Sequence, residues 1–150
     1  MKAVILTYAP IENSEKELLK NTIVFKLALN HHSEEYKPNA RIISDYILPK
    51  ICKNFNQKII SIREKFRYET KRVEYPNIEY KGATIVSGVE YLLKNKYDEI
   101  LIIGDNTVNT KEFQDLVNTE IEKLKPKAQI YQYIKGNFNL PVKSISEFLS

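Results

Sequence analysis

The stretch that decides the fold is Lys81–Asn109, KGATIVSGVEYLLKNKYDEILIIGDNTVN. Its first half has apolar residues at i, i+4, i+7 and i+8, the period of a helix with one buried face. These residues are Ile85, Val89, Leu92 and Leu93. Its second half holds the continuous apolar run Ile100–Ile103, which is typical of a strand covered on both faces. A helix followed by a doubly buried strand predicts half of a parallel α/β unit.

Other apolar runs are spaced along the chain in a similar way. We predict strands at Lys2–Tyr8, Thr22–Leu29, Ala40–Ser44, Lys58–Ile62 and Ala128–Ile134. With Ile100–Ile103 they alternate with helical segments, an order that is typical of α/β folds. We therefore expect a three-layer α/β domain, with a mostly parallel sheet of about six strands and helices on both faces.

The last long helix is predicted from its cap and its buried stripe. Asn109 and Glu112 have the spacing of a capping box, with Asn in place of the usual Ser or Thr. The apolar stripe that follows is Phe113, Leu116, Val117, Ile121 and Leu124. Pro126 then ends the helix because proline cannot continue it.

Shorter helices are predicted elsewhere. Asn13 or Ser14 is expected to cap a short first helix, and Tyr46–Phe55 is expected to be helical. The C-terminal residues predict a final helical turn, with Phe148 and Leu149 turned inward.

Composition limits the class of protein. A chain of 150 residues fits one domain, 1–150, and no run approaches the roughly 18–20 apolar residues that span a bilayer. Cys52 is the single cysteine, which excludes an intrachain disulfide and favours a reducing compartment. The net charge of +4 is too small to argue for nucleic acid. We expect a cytoplasmic protein without membrane association.

Several familiar site motifs are absent from the sequence. The turn after the first strand, Thr7–Ser14 (TYAPIENS), has no glycine, so it lacks the dinucleotide fingerprint, and there is no Walker A motif. The run His31–Glu35 (HHSEE) lacks the i, i+4 geometry of helical zinc ligands. No metal centre is predicted from these residues.

Two aspartates follow predicted strands, Asp45 after Ala40–Ser44 and Asp105 after Ile100–Ile103. Ligands of parallel sheets bind beyond the carboxyl ends of the strands, which is where such carboxylates project. Either aspartate could contact a ribose hydroxyl or a Mg²⁺ ion. Each could equally cap a neighbouring helix.

Gly82 and Thr84 lie at the predicted start of the helix in the deciding stretch. A helix start offers free N–H groups to an anion such as phosphate. The alternative is structural: Gly82 eases the turn and Thr84 caps the helix.

The segment Arg63–Lys81 interrupts the pattern, since it is densely charged and aromatic without a sustained period. Its Arg and Lys residues could clamp phosphates and its Tyr residues could stack on a base. It could therefore close over a site as a lid, form a solvated loop, or bind RNA.

Four fragments, taken in order, resemble a known group of domains. They are Ile23–Asn30 (IVFKLALN), Ala40–Asp45 (ARIISD), Lys81–Leu93 (KGATIVSGVEYLL) with Glu99–Asp105 (EILIIGD), and Ile130–Gly136 (IYQYIKG). The group is the Rossmann-like domain of bacterial sialyltransferases and of hydroxymethylpterin diphosphokinase-like proteins, which include motility accessory factors. The resemblance implies a Rossmann-like fold, binding of a nucleotide such as a CMP-sugar or ATP, and group transfer. The residues that it carries over to nucleotide binding are Asn30, Asp45, Gly82, Thr84 and Asp105.

Two functions of different classes follow. The first is a nucleotide- or nucleotide-sugar-binding domain, either a small glycosyl- or phosphoryl-group transferase or a binding protein. The second is a non-catalytic interaction module that keeps the fold without the ligand site. It predicts an exposed apolar patch around the C-terminal helix. Catalytic residues and oligomeric state are not predicted.

Overall fold

The computed structural model describes residues 1–6, 12–19, 22–26, 41–44, 57, 60–61, 64, 77–103, 111–133 and 138–150. Along the chain, its elements of secondary structure are β1 (Lys2–Leu6), α1 (Asn13–Leu18), β2 (Ile23–Lys26), β3 (Arg41–Ser44), α2 (Asn77–Lys94), β4 (Glu99–Ile103), α3 (Lys111–Lys123), β5 (Gln129–Gln132) and α4 (Ile145–Leu149). Four of these strands fall within runs that the apolar pattern predicts, and β4 begins one residue before its predicted run, at Glu99. None of the helices within these ranges is long and apolar enough to span a membrane.

The five strands form one sheet, and all the pairings are parallel, in the order β3-β2-β1-β4-β5. The parallel α/β prediction is thereby confirmed. β1 is central and pairs with β2 on one side and with β4 on the other. The chain order reverses between β1 and β4, so this strand order is compatible with a doubly wound fold.

Helices pack on both faces of the sheet because successive strand residues point to opposite sides. One face, here called the α2–α3 face, buries Ala3 and Ile5 of β1 with Ile100 and Ile102 of β4. The helix residues packed on them are Ile85, Val86, Val89, Leu92, Leu116, Val117 and Ile121. The predicted stripes of α2 and α3 are thus confirmed at the residues whose burial is described.

The opposite face, here called the α1–α4 face, buries the alternate residues of the same strands. Val4 and Leu6 of β1 and Leu101 and Ile103 of β4 pack there with Leu19, Val24, Ile145 and Phe148. The predicted final turn is confirmed as α4, with Phe148 only 1% exposed. Ile145 and Phe148 of this helix face the core, so these two residues do not contribute to the exposed apolar patch that the interaction-module hypothesis predicts around it.

The predicted strand Lys58–Ile62 is wrong, because Ile60 and Ser61 are helical, as are Gln57 and Glu64. The run is rich in β-branched residues, and periodicity cannot distinguish a short apolar run of this kind from a helix. A wider window of the sequence does separate them, since Phe55, Ile59, Ile62 and Phe66 recur at helical spacing. Ile60 lies off that stripe and is 59% exposed.

The starts of two helices also differ from the prediction. α1 has Glu12 at its N-cap, one residue before Asn13, and the Glu12 N–H donates to Glu15 Oε1 at 3.3 Å. α2 begins at Asn77 rather than near Gly82. Glu64 and residues 77–81 are therefore helical, and the loop interpretation of Arg63–Lys81 is wrong at those positions. The predicted helix Tyr46–Phe55 lies outside the described residues.

Candidate functional site

The strand order reverses between β1 and β4, which is the position of the ligand crevice in open parallel α/β sheets. The two strands are neighbours and end level with each other, since Leu6 is in register with Ile103. The helices that follow them lie on opposite faces, because Leu19, the C-cap of α1, is buried in the α1–α4 face and α3 packs on the α2–α3 face. In open parallel α/β sheets, ligands bind beyond the carboxyl ends of the strands at such a point.

Three of the residues predicted to bind nucleotide, Asn30, Asp45 and Asp105, lie outside the described residues. The strands before the two aspartates are confirmed: β3 ends at Ser44 and β4 at Ile103. In sequence, Asp45 and Asp105 therefore follow the carboxyl ends of two parallel strands. Their contacts with a ligand stay a prediction.

Gly82 and Thr84 both lie inside α2, beyond its first turn. The argument that they offer free N–H groups is therefore wrong, because backbone N–H groups beyond the first turn bond to the carbonyl four residues earlier. Their place in a nucleotide site stays a prediction. The sequence signal for the true start is Pro76, since proline is common around the first helical position.

The free N–H groups of α2 belong to its N-terminal end, which precedes Gly82. The other end of α2 leads to the amino edge of the sheet, where the Asp98 N–H donates to the Met1 carbonyl at 3.2 Å. The first turn of α2 therefore lies at the carboxyl edge, on the same side as the crevice. Its positive dipole end favours an anion there.

A tyrosine–glutamate pair at this edge was missed by the sequence analysis. Tyr133 follows the carboxyl end of β5, and its N–H donates to the Ile102 carbonyl at 2.9 Å. Its hydroxyl donates to Glu15 Oε2 of α1 at 2.6 Å. That hydrogen bond, with burial and the charges of Glu15 and Glu12, raises the pKa of Tyr133 to about 12. The pair therefore holds α1 beside the strand ends as a protonated donor and a carboxylate.

The amino edge, at the opposite end of the strands, carries a separate charged region. The Met1 amino group donates to Asp98 Oδ1 at 2.7 Å and holds the pKa of that carboxyl below its usual value. No group of three or more His, Cys, Asp or Glu residues that could hold a metal ion occurs in the described ranges.

Comparison with protein-family models, with curated proteins and with solved structures found no match to this chain. These comparisons therefore show no family for this chain. A shared fold would not by itself fix a function.

Proposed function

We propose that this chain is a Rossmann-like domain that binds a nucleotide or nucleotide-sugar beyond the carboxyl ends of β1 and β4. The observation that supports this is the divergence of α1 and α3 onto opposite faces from two strands that end in register. In parallel sheets that divergence marks the ligand crevice.

The predicted residues take roles that match their positions in the chain. Asp45 and Asp105, after β3 and β4, would contact ribose or Mg²⁺, and Asn30 would lie near the phosphates. The first turn of α2 would supply the anion-binding N–H groups first assigned to Gly82 and Thr84. A small glycosyl- or phosphoryl-group transferase is the enzymatic form of this proposal, and no catalytic residue is assigned to it.

The test is a thermal-shift screen with CMP, CDP, UDP, GDP and ATP, each with and without Mg²⁺. A nucleotide at 100 times its dissociation constant stabilises the fold by about 2.7 kcal/mol, which raises the melting temperature by roughly 5–10 °C. Asp105→Ala should abolish the shift and leave the melting temperature of the free protein within a few degrees of wild type.

The matched control is Asp115→Ala, which removes an exposed aspartate from α3. It should keep the nucleotide shift. Full binding by a folded Asp105→Ala variant would remove Asp105 from the site, and no shift with any of the nucleotides would refute the proposed function.

The alternative is a non-catalytic interaction module, and one observation favours it. The turn after β1, Thr7–Ser14, contains no glycine, whereas nucleotide sites at this turn use glycines to bring backbone close to phosphate. This alternative predicts no nucleotide shift and retention of a protein partner in a pull-down.

A further inference from the structure

A cavity lies at the amino edge of the sheet, between the C-terminal ends of α2 and α3. Its volume is about 670 Å³, which is within the range of about 300–1,000 Å³ for small-molecule pockets. It is on the far side of the sheet from the proposed nucleotide crevice. Lys96 and Lys125, each two residues beyond the end of its helix, both line it.

The charge of this cavity is positive. Two of its lysines have carboxylate partners, since Lys94 Nζ is 3.1 Å from Glu90 and Lys123 Nζ is 3.3 Å from Glu120. Its aspartate, Asp98, pairs with the Met1 amino group. The remaining cavity lysines are Lys96, Lys125 and Lys127, and none has a carboxylate partner among the described residues.

The ends of the helices account for only part of that charge. Lysines commonly follow helices because each C-terminus carries about half a negative charge. Two helix ends therefore offset about one positive charge. The positive charge of the three lysines, Lys96, Lys125 and Lys127, is larger than this offset. An anion in the cavity would therefore be favoured.

Both helices place a lysine where glycine is the usual residue. Lys96 has φ 66° and Lys125 has φ 48°, the left-handed conformation that other side chains rarely adopt. The α2 end is a full Schellman motif, in which the Tyr97 N–H donates to the Leu92 carbonyl at 3.0 Å and the Lys96 N–H to the Leu93 carbonyl at 3.2 Å. Both left-handed positions therefore carry a lysine side chain in place of glycine, and both positions line the same cavity.

The floor of the cavity is apolar. Leu93, Tyr97, Leu124 and Ala128 line it and are partly buried against the core of the α2–α3 face. A ligand that fits would have an apolar body against this floor and its anionic group among the lysines. Since the surplus of positive charge exceeds one, a phosphate dianion matches it better than a single carboxylate does.

We propose that the cavity between the C-terminal ends of α2 and α3 binds a phosphorylated small molecule with an apolar or aromatic body. Lys96 and Lys125 hold its phosphate, and Leu93, Tyr97 and Leu124 contact its body. This second site does not depend on the proposed nucleotide function.

The test uses 1-naphthyl phosphate as the probe, titrated by fluorescence into the wild-type chain and into Lys96→Gly and Lys125→Gly. Each variant should bind the probe about tenfold more weakly, which is a loss of about 1.4 kcal/mol. Because glycine relieves the left-handed strain, the melting temperatures should equal or exceed that of wild type. If the two lysines acted only on the stability of the fold, the affinity for the probe would not fall while the melting temperature stayed the same or rose.

Lys111→Gln is the matched control, since it removes one exposed lysine at the far end of α3 and should leave the affinity unchanged. 1-Naphthoate and inorganic phosphate should each bind more weakly than the probe. 1-Naphthoate lacks the phosphate group, and inorganic phosphate lacks the aromatic body. The proposal is overturned if the two glycine variants bind the probe as tightly as wild type, or if wild type does not bind it at millimolar concentration. Because a nucleotide also carries phosphate on an aromatic body, the variants separate the two sites: Asp105→Ala should leave probe binding unchanged, and Lys96→Gly and Lys125→Gly should leave the Asp105-dependent nucleotide shift unchanged.

Discussion

The Gln132 side chain holds the segment 138–140 against the sheet. It is 3% exposed, and its Oε1 accepts from the Phe138 N–H at 2.8 Å. Its Nε2 donates to the Phe138 carbonyl at 2.6 Å and to the Leu140 carbonyl. A buried amide with this many bonds fixes the path of the chain, because each lost bond leaves a buried polar group unsatisfied.

Gln132→Met should therefore reduce the free energy of unfolding by about 1–3 kcal/mol, although the side-chain volume hardly changes. Urea denaturation measures this. Gln129→Met, at the exposed end of the same strand, is the control and should change stability by less than about 0.5 kcal/mol. Equal losses in the two variants would contradict the role of the buried amide.

Single residues also show where the sequence stops being informative. The burial of Val89, Leu92 and Ile121 is predicted by the helical spacing of apolar residues alone, because residues at that spacing share the one helix face that packs against the sheet. The left-handed residue after α2 does not follow. Asn95 adopts that conformation more readily than lysine, yet the Asn95 N–H donates to the Tyr91 carbonyl at 3.1 Å, and the positive φ falls on Lys96.

Among the elements, α1 depends on a contact that no local sequence pattern encodes. It is short, and its Glu15 accepts from Tyr133, which is distant along the chain. The helix and the strand were each predictable from sequence. Their pairing was not, because it depends on which face of the sheet each element occupies.

Because of this contact, the free energy of unfolding should decrease at alkaline pH. Since the hydrogen bond raises the pKa of Tyr133 from 10 in the unfolded chain to about 12 in the folded one, its stabilisation is complete below pH 10 and is lost as pH rises towards 12. Tyr133→Phe removes that loss. Denaturant unfolding at pH 8, 10 and 11.5 should show a smaller decline with pH for the variant than for wild type, and parallel declines would contradict the assignment.

Element boundaries were harder to predict than element types. The start of α2 was placed too late because Gly82 looked like a helix start, whereas a buried glycine inside a helix can also serve close packing. At Ile60 and Ser61 the predicted type of element, a strand, was wrong. A short β-branched run was interpreted without the helical spacing of the apolar residues around it. Asn30, Asp45 and Asp105, three of the predicted ligand residues, lie outside the described residues, so their placement stays a prediction.

At the scale of the whole molecule, two cores share the same two strands. Residues of β1 and β4 alternate between the α2–α3 face and the α1–α4 face. Loss of either helix layer would therefore expose strands that the other layer needs. The described fold should unfold as one cooperative unit, with no state in which one face alone is packed.

Leu92→Ala and Phe148→Ala test this, one on each face, and both side chains are almost fully buried. Each should reduce the free energy of unfolding by about 2–5 kcal/mol, and Glu122→Ala, exposed on α3, should be near neutral. Because the chain has no Trp, far-UV circular dichroism and tyrosine fluorescence are the two probes. Their urea midpoints should coincide in every variant. Separate transitions in Phe148→Ala would mean that the α1–α4 layer can unfold while β1 and β4 remain packed on the α2–α3 face. The shared strands would then not couple the unfolding of the two cores.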